Sequence, residues 1–277
     1  MLRVADYAHH LTIVLAWLAF LLNALRLKSK GRSLARYAFL ATLATWVALT
    51  AFVLLRGWSQ RSVPFLSLFE SLSTLSWVVL SVYLVVEWKV RWSILSLVVL
   101  GGVGGILIYA STLPRDLLPL LPVLQSRWLM VHVLLNFLAY GSFTLAFVIS
   151  VLYLWQERQL KRKRVNFWYY WLPSLEKLEA MSDLLIRWAF PLLTLGILTG
   201  SIYAENAWGS YWDWNVKETW SLITWLIYAG YLHARHIQGW HGRRAILLSV
   251  LGFLAILFNY LGISLLLPSP HSFIRIL

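Results

Sequence analysis

WLMVHVLLNFLAYGSFTLAFVISVLYLWQ, residues Trp128–Gln156, contains no Asp, Glu, Lys or Arg. The stretch is longer than the ~20 apolar residues that a helix needs to cross a ~30 Å hydrocarbon core. Because lipid offers no hydrogen bonds to a backbone, a segment that crosses it must be a helix, which pairs its own N–H and C=O groups. We therefore predict a transmembrane helix at this position.

The same pattern recurs along the whole chain. Its 277 residues are 60% hydrophobic and 13% charged, with a mean hydropathy of +0.70, whereas about a quarter of a soluble domain is charged. We predict an all-α polytopic integral membrane protein that forms one domain, 1–277, with about eight transmembrane helices. The predicted spans are 9–25, 37–55, 70–87, 92–111, 128–155, 188–204, 219–236 and 245–266.

The formal net charge of +13 is explained by topology. If the N-terminus is outside, most Lys and Arg residues fall in segments predicted to be cytoplasmic, as the positive-inside rule requires. Both termini and loop 205–220 are then predicted on the outer side, and loop 157–187, with an interfacial helix near 175–185, on the cytoplasmic side. The charge therefore does not indicate a nucleic-acid partner.

Two compositional features bear on chemistry and packing. The chain has no cysteine, so any thiol chemistry must use the sulfur of another protein. A glycine cluster at Gly101, Gly102, Gly104 and Gly105 predicts close helix packing inside the fourth span.

The outer segment WGSYWDWNVKETW, Trp208–Trp220, carries four tryptophans and a tyrosine in thirteen residues. One interpretation is an interfacial aromatic belt, because Trp and Tyr favour the depth of the lipid headgroups. The other is a platform for a flat ligand with a charged rim, with indole faces for the ring and Lys217 for its carboxylates. The candidate platform residues are Trp208, Tyr211, Trp212, Trp214, Lys217 and Trp220.

Three histidines are candidate ligands. His132 and His271 lie near the outer ends of the fifth and eighth predicted spans, on the same side as the tryptophan-rich segment. Two neutral imidazoles and an aromatic floor would suit a six-coordinate haem iron, although a lone intramembrane histidine can also serve packing. His233 lies about 20 Å deeper than Trp220. It is either a second haem ligand or a snorkelling residue grouped with Arg235 and His236. His9 and His10 receive no role.

At these residues the sequence resembles the haem-handling protein family, and within it the CcsA (ResC-type) components of the System II cytochrome c synthase. WGSYWDWNVKETW is similar to that family's tryptophan-rich "WWD" segment, and LITWLIYAGYLHARHIQGWHGRRA to its continuation. The resemblance extends over roughly residues 65–275. It is also carried by SLFESLSTLSW, LQSRWLMVHVLLNFLAYGSF, FPLLTLGILTGSIYAENAWG and NYLGISLLLPSPHSF.

The resemblance implies a haem lyase subunit, with haem b as substrate and ligand. His132 and His271 would be the outer axial ligands, and His233 one ligand of a haem within the membrane. A separate CcsB/ResB-type subunit would supply the second intramembrane ligand. The acceptor would be the CxxCH motif of an apocytochrome c, kept reduced by a thioredoxin-like protein. No catalytic side chain is assigned, and Glu218 is expected to order the end of a helix or loop.

The expected location is a bacterial cytoplasmic membrane, with a thylakoid membrane as the alternative. Asn215 and Val216 stand where the family usually has Asp followed by Pro, and Asp213 could replace the missing carboxylate. Two rival functions stay open at this point. A haem-binding regulator or chaperone would not need an apocytochrome, and a small-solute transporter would bind no haem.

Overall fold

The computed structural model describes residues 2–28, 32–60, 63–115, 125–163 and 171–263, and nearly all of these are helical. Within these ranges lie eight α-helices, which are α1 Leu2–Lys28, α2 Arg32–Gln60, α3 Leu68–Val90, α4 Ser93–Ser111, α5 Arg127–Lys161, α6 Leu175–Trp208, α7 Val216–His236 and α8 Arg243–Leu257. A π-helical turn, Phe258–Gly262, directly continues α8. The prediction of an all-α polytopic membrane protein is confirmed.

Among the described residues, seven of these helices are long and apolar enough to cross a membrane, and α7 is not one of them. The span predicted at 219–236 is nevertheless helical. Its insertion, and the outer location of both termini, stay predictions. The residues of the predicted interfacial helix near 175–185 are helical but form the first part of α6, which continues unbroken from Leu175 through the predicted span 188–204; their interfacial location stays a prediction. The non-helical part of the predicted loop 157–187 is correspondingly shorter.

The chain forms two compact units. Unit 1, residues 1–120 with 170–172, contains α1 to α4, in which α1 and α3 each pack against α2 and α4. Unit 2, the remainder, contains α5 to α8 in the same arrangement, with α5 and α7 each packed against α6 and α8. Each unit is therefore a four-helix bundle, and the single domain 1–277 stays a prediction.

Small residues and indole hydrogen bonds hold unit 1 together. A Cβ on Gly101 or Gly104 would lie 3.3 Å from Phe20 or 3.2 Å from Trp17 of α1, so these two glycines permit the α1–α4 contact, as predicted. A Cβ on Gly102 or Gly105 would meet nothing within 4 Å. Between α2 and α3, the Nε1–H of Trp46 donates to Ser81 Oγ at 2.8 Å, a polar contact that lipid cannot replace.

In unit 2 the helices meet through stacked rings and hydroxyl groups. Phe143 of α5 stacks on Tyr228 of α7 with ring centroids 3.8 Å apart. A Cβ on Gly252 of α8 would lie 2.7 Å from the same tyrosine ring, so only glycine fits there. These contacts fix the four helices whose ends carry most of the predicted site residues.

Candidate functional site

The backbone of α6 orients the His132 imidazole. Its Nδ1 lies 2.7 Å from the carbonyl oxygen of Gly196. Because a carbonyl only accepts hydrogen bonds, this contact assigns a proton to Nδ1, and in the neutral imidazole Nε2 then keeps its lone pair. This is the tautomer and the backbone contact by which metal-binding histidines are commonly held.

Two glycines of α6 make room for this contact. A Cβ on Gly200 would lie 2.6 Å from His132 Cε1, and a Cβ on Gly196 would lie 2.7 Å from the Asn136 amide nitrogen. Both distances are below any real Cβ contact, so a larger residue would displace α5 side chains. Asn136, one turn after His132, donates its amide to the His132 carbonyl oxygen at 2.8 Å.

These three supporting residues were not predicted, although the sequence contains a signal for them. Gly196 and Gly200 have the G-x-x-x-G spacing that lets transmembrane helices approach closely. Asn136 stands four residues after His132, on the same helical face. Together they build a polar notch at one end of the α5–α6 contact.

The tryptophan-rich segment is ordered by its own hydrogen bonds. Helix α6 ends at Trp208, and Gly209 follows it with a left-handed φ of 77°. Asn215 caps α7, because its Oδ1 accepts the Glu218 N–H at 3.0 Å. Glu218 Oε2 in turn accepts the Asp213 N–H at 2.8 Å. The loop-ordering role predicted for Glu218 is confirmed. Asn215 caps the helix as an Asp would, since both residue types cap helices about equally well.

The aromatic side chains of this segment fall into two groups. Trp214, Tyr211 and Trp208 are 70%, 61% and 43% exposed. Trp212 is half-buried, and its ring meets Trp214 edge-on with centroids 5.9 Å apart. Trp220 instead packs on Phe258 of the π-helical turn at 4.4 Å. The structure therefore presents several rings together on the loop and uses Trp220 for packing.

Trp214 also has an unusual backbone. Its φ is 55°, in the left-handed region that residues with a Cβ seldom adopt. Trp214 is also the most exposed tryptophan of this segment. The surrounding hydrogen bonds of Asp213, Asn215 and Glu218 hold the backbone in this conformation.

Lys217 adds a positive charge at the end of unit 2 that carries His132. It lies at the start of α7, before the predicted span 219–236, and burial lowers the pKa of its ammonium group from near 10.5 to about 8. Its charge acts on His132. At pH 7 a group with this pKa is still about nine-tenths protonated, so a cation lies near the imidazole.

The π-helical turn closes the same end of unit 2. Asn259 donates its amide to Ser221 Oγ of α7 at 2.9 Å, and the Tyr260 ring lies 6.0 Å from that of Tyr140 in α5. Turns of this kind occur often at functional sites. No sequence signature distinguishes a π-helical turn from an α-helix, so the sequence could not have located it.

The structure describes one of the other two predicted haem ligands, His233, and not His271. His271 lies outside the described residues, so its predicted role stays a prediction. His233 is exposed on α7. Arg235 and His236 belong instead to an ion-pair network in which Arg235 pairs with Glu179 and His236 Nε2 lies 3.2 Å from Asp183. Whether His233 is a haem ligand or a snorkelling residue stays a prediction.

A family model described as "Cytochrome C assembly protein" matches residues 65–271. The chain belongs to the cytochrome c assembly protein family. Among curated members, the cytochrome c biogenesis protein CcsA of Guillardia theta is 32% identical and covers 95% of this chain and 93% of its own length. The CcsA protein of Microcystis aeruginosa is 34% identical, over 76% of this chain and 79% of its own. This chain is thus a CcsA-type cytochrome c biogenesis protein, as the sequence predicted.

A solved structure shares the fold of this cytochrome c assembly protein. The cytochrome c haem lyase CcmF superposes with a TM-score of 0.64 at 19% identity. The superposition covers 99% of this chain and 49% of CcmF, so the chain spans about half the length of that protein. At this level of identity the likeness concerns the arrangement of helices.

Proposed function

We propose that this protein binds haem b at one end of unit 2 and presents it for covalent attachment to the CxxCH motif of an apocytochrome c. The observation that carries the proposal is the Nδ1 contact of His132 with the Gly196 carbonyl, at 2.7 Å. It leaves the Nε2 lone pair free for an axial position on iron. His132 lies at the end of unit 2 that also carries Lys217 and the aromatic loop.

The groups around this position suit the different parts of a haem molecule. Exposed rings such as Trp214 and Tyr211 offer flat apolar faces to a macrocycle. Lys217, a cation near His132, suits a propionate carboxylate. His271 would supply the second axial ligand on the outer side. An interfacial belt would explain the rings alone, but not the tautomer of His132 or the nearby cation.

The reaction itself requires positioning and reduced thiols. A cysteine S–H adds across a haem vinyl group, so that a C–S bond forms and the proton is transferred to the neighbouring vinyl carbon, with no net oxidation. The protein's contribution is to hold the vinyl groups near the incoming thiols. Because this chain has no cysteine, a thioredoxin-like protein would keep the acceptor reduced.

His233 would bind a second haem, within the membrane. Its exposed position on α7 supports this role, because an imidazole on the surface of the chain can share an iron with a ligand from another subunit. The CcsB/ResB-type membrane protein would be that subunit, and haem would pass from His233 to His132. The host membrane would be a bacterial cytoplasmic membrane or a thylakoid, with the outer site facing the periplasm or lumen.

The test is an absorption spectrum of the detergent-purified protein co-expressed with its CcsB-type partner. His132→Ala and His271→Ala should alter one six-coordinate haem signal, and His233→Ala a separate one. His241→Ala, on the loop after α7, is the matched control and should leave both signals unchanged. A haem-free wild type from haem-replete cells would contradict the proposal and favour a transporter. Bound haem without attachment to a supplied apocytochrome would favour a regulator or chaperone.

A further inference from the structure

Unit 1 contains a group of polar side chains at the end where α1 and α3 begin and α2 and α4 end. None of its residues belongs to the proposed haem site. We refer to it as the His9 cluster, and its members are Asp6, His9, His10, Arg56, Gln60, Glu70 and Arg115. Ionisable residues buried in a membrane protein are costly and commonly functional, so each polar atom here requires an explanation.

Part of the cluster is fully paired. Arg56 and Glu70 are almost completely buried and joined by an Nε–Oε1 contact of 2.7 Å. Glu70 Oε1 also accepts from the Gln60 amide, and Glu70 Oε2 accepts from the Leu66 N–H at 3.2 Å. Arg56 Nη2 donates to the carbonyl oxygen of Arg115. These bonds fix α2, α3 and the segment after α4 to one another.

Within the described ranges, other polar atoms of the cluster make no hydrogen bond, although Arg115 lies in ion-pair distance of Asp6 and contacts His10. His9 is completely buried, and neither ring nitrogen has a hydrogen-bond partner among the described residues. Asp6 Oδ1 and Gln60 Oε1 are likewise buried and unpaired within that part of the chain. A buried polar atom without a partner gives up the hydrogen bonds that it would make in water, which destabilises the folded state. Such costs accumulating at one place indicate a ligand that supplies the missing hydrogen bonds.

The surroundings restrict what that ligand can be. The His9 ring lies against Phe52 and Phe69, with centroids 5.2 and 5.0 Å away, so much of its surroundings is apolar. Both guanidinium groups, of Arg56 and Arg115, lie over the ring of Phe69. They balance the carboxylates of Asp6 and Glu70, so the cluster attracts neither an anion nor a cation.

A small neutral molecule that both donates and accepts hydrogen bonds fits these limits. The unpaired atoms comprise one N–H donor on His9 and acceptors on His9, Asp6 and Gln60. Water matches this set, because each molecule offers two donors and two acceptors and binds in polar, not apolar, cavities. No group of three His, Cys, Asp or Glu side chains suited to a metal occurs in the described parts of the chain.

Two side chains of the cluster are partly exposed. Asp6 and Arg115 are 34% and 27% exposed at their side chains, with Arg115 Nη1 4.0 Å from Asp6 Oδ1. Arg115 Nη1 lies 3.1 Å from His10 Nε2 as well. His9 is about one helical turn from Asp6, so these partly exposed side chains are the part of the cluster nearest to solvent.

We propose that the His9 cluster is a hydrated site, in which internal water molecules bind both nitrogens of His9, Asp6 Oδ1 and Gln60 Oε1. The water connects the buried imidazole with the aqueous phase at this end of unit 1. His9 thereby exchanges protons with that phase although aromatic rings enclose it. The site is independent of haem.

The first test is solid-state NMR of the full chain in lipid bilayers, with ring-¹⁵N-labelled histidine and transfer of magnetisation from water. The His9 signals are identified by their loss in His9→Gln, and those of exposed His241 serve as the positive control. We expect transfer from water to both His9 nitrogens. Transfer to His241 with none to His9 would show a dry imidazole and overturn the proposal.

The second test compares thermal unfolding of wild type and His9→Phe. If water is bound, a phenyl ring displaces it, leaves Asp6 Oδ1 and Gln60 Oε1 unpaired, and lowers the midpoint by about 2–4 °C. If the site is dry, the same change removes two unpaired atoms, and the midpoint rises instead. Gly102→Ala, at an open surface position of α4, controls for the effect of mutating unit 1.

Discussion

Replacing Gly200 with alanine should weaken haem binding without removing any ligand. The new Cβ would lie 2.6 Å from His132 Cε1, a distance that no real Cβ shows, so the imidazole or helix α6 must move. Overpacking of this kind costs about 1–3 kcal/mol. Loss of an orienting partner commonly reduces metal affinity 10–100-fold, and the Nδ1 contact of His132 with Gly196 is such a partner.

The assay is haem titration of the protein purified together with its CcsB-type partner in lipid nanodiscs, followed by absorption. We expect Gly200→Ala to bind haem at the His132 site about 10–100-fold more weakly, with its other haem signal unchanged. The control is Gly102→Ala, because a Cβ there meets nothing within 4 Å. In a His132→Ala background, Gly200→Ala should have no further effect on this site. A Gly200→Ala protein with wild-type haem affinity and spectrum would refute the idea that the α6 backbone holds the ligand.

Three further predictions concern the loop, the buried ion pair and Lys217. Asn215→Ala removes the cap of α7 and should cost about 1 kcal/mol and speed proteolysis of loop 209–215, whereas Asn215→Asp should behave as wild type; equal proteolysis of all three would contradict the capping role. Glu70→Gln leaves Arg56 with a buried, unbalanced charge and should lower stability by about 3–5 kcal/mol in denaturant unfolding, while the double change to Arg56→Met and Glu70→Leu should recover most of the loss. Folding lowers the pKa of Lys217 from near 10.5 to about 8, so between pH 8 and 10.5 the unfolded chain binds more protons and stability should rise with pH. Lys217→Met should reduce this rise in thermal unfolding. An unchanged dependence of the unfolding midpoint on pH would count against burial of the ammonium group.

The helices were predictable because long apolar runs have few alternatives in a membrane. The lengths of the helices were harder to predict. Helices α5 and α6 contain 35 and 34 residues and continue past the apolar runs, since basic and acidic residues form helix readily in water beyond the hydrocarbon. Hydropathy marks the buried part of a helix, not its ends.

The site was predictable where chemistry is local. The tryptophan-rich segment, His132 and the capping role of Glu218 can each be identified from neighbouring residues. Gly196 could have been found from its spacing to Gly200. The π-helical turn at Asn259 and the pairing of Arg56 with Glu70 depend on how helices meet, and sequence periodicity carries no information on such contacts.

The left-handed backbone of Trp214 lowers the stability of the loop while the loop exposes the tryptophan ring. At a φ of 55° a residue with a Cβ costs about 1–2 kcal/mol more than it would in an allowed region, a cost that glycine avoids. Trp214→Gly should therefore give a more stable loop that has lost its most exposed ring. A selection for thermostability alone would remove this tryptophan, so its presence here suggests that the chain is selected for something the loop does with that ring.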